Sequence, residues 1–201
     1  LDSSGVIEAL GDNLVDARHP LRIRHSLTSQ IRTLVLQRAM GWIDLSDTDM
    51  LRRDPLWQLA CSDARGVTPL AQERPSQATL SRLLTCLGHN DNIDVVHEGL
   101  LRLVLWRLTS LKNGERPKQL TLDIDGLPIE VHGHQGGSAF HGLYGARIYS
   151  PLVASLAETG DMVGGLRREG NAGPAENADT WIPHLVPRLN ESTGAQVRVR
   201  I

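Results

Sequence analysis

Apolar residues recur at two different periods along this chain: every three to four residues up to about residue 112, and every second residue after 118. The first region therefore reads as helical. Ser26 is placed to cap a helix that carries Leu27, Ile31, Leu34 and Val35 on one stripe and ends at Gly41. Asp54-Pro55 is a cap followed by a first-turn proline for a second helix through Trp57, Leu59 and Ala60. Asn92 is placed to cap a longer helix in which Ile93, Val96, Leu100, Leu103, Val104 and Leu108 recur at helical spacing. The segment Lys112 to Lys118, KNGERPK, combines charge with Gly and Pro and is the expected boundary, giving a helical region 1–118 and a second region 119–201.

Beyond that boundary the alternation predicts strands at Leu120 to Asp125, Ala146 to Ala157 and Asp161 to Arg168. Pro174 then opens a helix through Ala178, Trp181, Ile182, Leu185, Val186 and Leu189, which Pro183 and Pro187 are placed to bend or split. Gln196 to Ile201, QVRVRI, is the last strand, with Val197, Val199 and Ile201 on one face. The expected fold class is α+β, an all-α region followed by strands in the order β-β-β-α-β.

Within the first strand, Leu120, Leu122 and Ile124 point one way, while Thr121, Asp123 and Asp125 point the other. Two carboxylates on one face, just before the break at Gly126 and Pro128, are suited to present oxygen ligands to Mg²⁺ beside phosphate groups. The same pattern also fits the polar face of a half-exposed strand.

The run Leu122-Asp123-Ile124-Asp125 followed by His132-Gly133-His134-Gln135 resembles the first acidic strand of bacterial insertion-sequence transposases of the DDE type. Tyr144-Gly145, Tyr149-Ser150-Pro151-Leu152 and the LRREGN of Leu166 to Asn171 come after it in the family's order. Upstream, Arg24-His25-Ser26-Leu27, the GWIDLSD of Gly41 to Asp47, the LRRDP of Leu51 to Pro55 and Thr79-Leu80-Ser81-Arg82 resemble its helical lead-in.

The resemblance covers most of the chain and implies the front part of such an enzyme. It implies an incomplete ribonuclease H-like domain at 119–201, in which Gly126 to Gly145 is an insertion. It further implies two Asp and one Glu that hold two Mg²⁺ ions, with Mn²⁺ as substitute, for cleavage and strand transfer at transposon ends. Asp125, directly before the break, is taken as the first of these ligands, with Asp123 as the alternative. Double-stranded DNA is the expected partner, contacted by Arg22, Arg24, Arg32, Arg82, His132 and Arg168, with a homodimer in the synaptic complex and a cytoplasmic, nucleoid-associated location. A second Asp is expected about one to three residues past Ile201 and the Glu further on, so the chain alone is expected to be inactive.

Charge sharpens this picture. The net charge of −2 excludes a strongly basic nucleic-acid binder, yet residues 17–43 hold five Arg and no Asp or Glu, while residues 119–201 hold six Arg against nine Asp plus Glu. A basic segment beside an acidic region suits a phosphate grip and a metal site; a solvated helix face has the same composition. Cys61 and Cys86 form no C-x-x-C, and no apolar run is long enough to span a membrane.

Two other functions compete. Thr68 to Leu84 invites a helix-turn-helix reading, and with it a DNA-binding regulator with an α/β sensing domain, although a plain helix capped by Ser76 or Thr79 fits the same residues better. His132, His134 and His141 could chelate Zn²⁺ or Fe²⁺, but the run is rich in glycine and has no nearby carboxylate. A G-x-S-x-G elbow and a Walker Lys-Ser/Thr are both absent, which excludes those classes.

Overall fold

The computed structural model describes residues 2–63, 68–111 and 117–201. The chain forms two compact units, Leu1–Gly99 and Leu100–Ile201. Of the expected boundary segment, residues 112–116 lie outside the described residues.

The first unit is helical: α1 (Val6–Asn13), α2 (Leu27–Ala39), α3 (Asp47–Leu51), α4 (Pro55–Cys61), α5 (Gln77–Leu87) and the first part of α6 (Asn90–Leu111). Its helices start where short polar side chains satisfy free backbone donors. Ser26 Oγ accepts from Ser29 N at 3.0 Å, Asp54 Oδ1 from Trp57 N at 2.9 Å, and Ser76 Oγ from Thr79 N at 3.4 Å. Ile7, Ile31, Trp57, Cys61, Leu80 and Leu83 are buried in its core.

The cap expected at Asn92 is displaced, because α6 already begins at Asn90. Asn92 is instead buried inside the first turn. Its Oδ1 accepts from Val15 N at 2.7 Å, and its Nδ2 donates to Val15 O at 3.2 Å and Cys86 O at 2.9 Å, tying three segments together. The segment Thr68–Ala71 is a single 3-10 turn, so the first helix of a helix-turn-helix is missing there. The next element, α5, is the plain helix capped by Ser76.

In the second unit, the rest of α6 precedes β1 (Gln119–Gly126), β2 (Ile129–Glu130), β3 (Ala139–His141), β4 (Ala146–Tyr149), β5 (Leu152–Leu156), β6 (Met162–Leu166), α7 (Ala178–Thr193) and β7 (Gln196–Arg200). The main sheet has the order β6-β5-β1-β7. β5 runs antiparallel to both β1 and β6, while β7 runs parallel to β1, a pairing that requires a crossover, here supplied by α7. Leu120, Leu122 and Ile124 of β1, Leu152, Ala154 and Leu156 of β5, and Leu185 and Leu189 of α7 share one core with Leu101, Val104 and Leu108 of α6. The protein is thus α+β, helices followed by a mixed sheet.

Three expectations change in detail. Ala146 to Ala157 is not one strand but two in different sheets, because Pro151 has no N–H to donate and its carbonyl accepts from Leu127 N at 2.9 Å, turning the chain. The segment Gly126 to Gly145 is more than a loop, since it supplies β2 and β3, which pair with β4 in a second sheet of order β2-β4-β3. Pro183 and Pro187 lie within an unbroken α7, both on its exposed side.

Candidate functional site

The register around β1 sorts its two carboxylates. Because β7 lies parallel and level with β1, Asp123 sits opposite Arg200. The pair closes as a fork, Arg200 Nε at 2.7 Å from Asp123 Oδ1 and Nη2 at 2.5 Å from Oδ2. Asp125, two residues on, is exposed on the same face, and Oδ1 accepts only from the adjacent Gly126 N, at 2.8 Å. It makes no ion pair among the described residues. Its antiparallel neighbour is Val153 of β5, and on the β7 side it stands one position beyond the pairing of Ile124 with Ile201 that the register projects.

The tip of the main sheet is braced from below. Arg168 is 4% exposed; its Nη1 donates to the carbonyls of Gly173, Pro174 and Glu176 at 2.7, 3.1 and 3.0 Å, and its Nε to Ser150 O at 2.8 Å. A Cβ on Gly126 would lie 3.6 Å from Arg168 Nη2, so this side chain backs the end of β1. With its donors spent on carbonyls, Arg168 is a brace for the strand tip rather than the DNA contact expected of it. Its neighbour Arg167 donates to Gly136 O at 2.7 Å and lies over the Tyr149 ring, tying the LRREGN segment to the small sheet.

Arg32 has a similar place in the first unit. It is 8% exposed and bonded to Ser62 O, Asp2 Oδ1 and Glu8 Oε1 at 2.6, 2.8 and 2.7 Å, which removes it from the expected DNA contacts. Arg22, Arg24 and Arg82 are exposed and line a cleft of about 660 Å³ within that unit. Arg18 and Arg52, which were not among the expected DNA contacts, line it too, as does His25. Burial pushes the His25 imidazole below its usual range, and Arg74, Arg52, Arg24 and Arg18 push it further in the same direction.

His132 and His134 are exposed, and His141 packs its ring against Tyr144. No group of three His, Cys, Asp or Glu side chains suited to hold a metal ion forms among the described residues. Burial pushes the Cys61 thiol up to about 11, which leaves it protonated and unreactive at neutral pH.

These features define an α+β protein whose central strand ends in an unneutralised carboxylate. The chain belongs to the family described as transposase DDE domain group 1, whose model matches residues 2–200. No curated protein matches it, and no solved structure does. DDE transposases typically use divalent metal ions. Asp125 fits a ligand for such an ion, being exposed and, among the described residues, without a competing cation; Asp123 would have to exchange Arg200 for the ion. The described residues therefore supply part of a site and not a closed set. No helix among them is long and apolar enough to cross a membrane.

Proposed function

We propose that this chain is the front part of a transposase that cleaves and joins DNA strands at the ends of an insertion sequence, with Asp125 as the first metal-holding carboxylate. The observation that carries the assignment is the contrast between the two acids of β1: Asp123 is spent on Arg200 and Asp125 is not. Mg²⁺, or Mn²⁺ in its place, would stabilise charge on the attacking and leaving oxygens of a phosphodiester. The order β6-β5-β1-β7, with β7 parallel to β1, supports a ribonuclease H-like reading of the sheet.

The register adds a further expectation. It sets Asp125 level with the position after Ile201, so a carboxylate carried there, or a residue or two later, would face Asp125 across the parallel pair. A catalytic Glu would join from further along. Partners are the double-stranded DNA of the element's ends and its target, with Arg22, Arg24, Arg82 and His132 as contacts to phosphates of that DNA, paired or opened, and a homodimer in the synaptic complex, in the cytoplasm beside the nucleoid.

The test is cleavage of terminal-repeat DNA by protein made from the element's whole reading frame. Asp125→Asn keeps the shape and removes the charge, and is expected to abolish cleavage while leaving DNA-end binding in place. Cleavage at the unaltered rate would sink the assignment.

A further inference from the structure

The cleft of the first unit has the volume of a small-molecule pocket rather than of a surface that lies against a duplex. Its walls come from the segment Val15 to His25, the start of α2, α5 and the start of α6. They are held in place from inside the protein. Asn92, 2% exposed, grips both backbone atoms of Val15 and the Cys86 carbonyl. Arg18 forks onto Asp16 at 2.6 and 2.8 Å and donates to His25 O at 3.0 Å, fixing the far end of the same segment.

Charge within the cleft is unevenly spent. Arg18 is neutralised by Asp16 and Arg52 by Glu73, at 2.6 and 2.8 Å, and Asp91 has a histidine partner, His89, at 3.4 Å. Arg22, Arg24 and Arg82 have no ion-pair partner among the described residues and give the cleft a positive surplus. Val15, 55% exposed, adds apolar wall, with the buried Leu27 and Leu83 behind the lining. Spare guanidinium groups above an apolar wall, in a space of this size, match a phosphodiester strand with an unpaired base more closely than a closed double helix.

We propose that this cleft binds an unpaired nucleic-acid strand, with Arg22, Arg24 and Arg82 on its phosphates and Val15 against a base. The proposal rests on the reading of the chain as a DNA-handling protein and adds that its helical unit distinguishes single strands from duplex. A strand end freed or frayed during cleavage is the form of DNA such a cleft would hold.

Fluorescence anisotropy on the 201-residue chain tests it, using a short labelled single-stranded oligonucleotide and a blunt duplex of the same sequence. The single strand is expected to bind about tenfold or more tightly than the duplex, with a log-log salt slope of about −2 for three phosphate contacts. Arg24→Ala with Arg82→Ala, both at exposed positions, should keep the helical circular dichroism of the parent and lower the slope to about −0.7. Equal or tighter duplex binding, or an unchanged slope in a folded double variant, overturns the proposal. The Asp125 assignment is read by cleavage and stands or falls separately: loss of single-strand preference leaves it intact, and normal cleavage by Asp125→Asn leaves the cleft intact.

Discussion

His25 is half-buried with four arginines acting on it, and its imidazole resists protonation for both reasons. The unfolded chain takes up that proton near pH 6.5, while the folded chain refuses it until lower pH. More protons bound in the unfolded state means that stability rises with pH, so stability should fall as pH drops through 6.5 and below. Urea midpoints measured across that range should show the slope, and His25→Gln should flatten it. Asp16, whose carboxyl Arg18 holds below its usual range, acts in the opposite sense of charge: its contribution is lost only as pH falls below about 3.8, in a separate window. An unaltered slope in the His25 variant would assign the effect to other groups. Residue-level roles were the least legible in the sequence. Arg32 and Arg168 carry the same formal charge as Arg22 and Arg82, and only burial tells them apart, because a guanidinium enclosed among carbonyls and carboxylates is kept from phosphate at the surface. Likewise, no spacing within LDID distinguishes Asp123 from Asp125; the distinction comes from Arg200 on a different strand.

At the scale of elements, what could be read was whatever rests on local rules. The caps Ser26 and Asp54 and the alternating face of β1 are set by the residues beside them, and they are present as expected. What could not be read depends on partners distant in sequence. The tie between Asn92 and Val15 moved the start of α6, and pairing with β2 and β3 drew β4 into a separate sheet. Gly170 marks where LRREGN passes under that small sheet. A Cβ there would lie 2.7 Å from Ala139 N and 2.8 Å from Ala139 O, and closer still to Ile148 O, all backbone atoms of paired residues of β3 and β4. Backbone in a ladder cannot yield as a flexible side chain can. Gly170→Ala should therefore cost about 1–3 kcal/mol, the usual penalty for overpacking. Denaturant midpoints give the total, and faster amide exchange confined to β3 and β4 would localise it. A variant as stable as the parent would show that the segment has room to move.

For the molecule as a whole, composition and period gave the order of helices before sheet, and the resemblance gave the family to which residues 2–200 belong. Neither could supply the parallel register, since β1 and β7 are joined only through everything between them. That register covers the edge of β1, which would otherwise offer unpaired backbone groups above Leu120 and Leu122. A chain ended at Gly194 should lose cooperative unfolding of the second unit and aggregate, as size-exclusion and thermal melts would reveal; a soluble, cooperative product would mean that β7 is dispensable. Asp123 and Arg200 stand 77 positions apart. Contacts between positions so distant form late, after the loop between them has been closed. During synthesis on the ribosome, β1 leaves the exit tunnel long before β7 can reach it. For that interval the strand that carries Asp125 has a bare side, and a nascent chain held there by a chaperone, or stalled before Arg200 emerges, would be the form of this protein most exposed to misassembly.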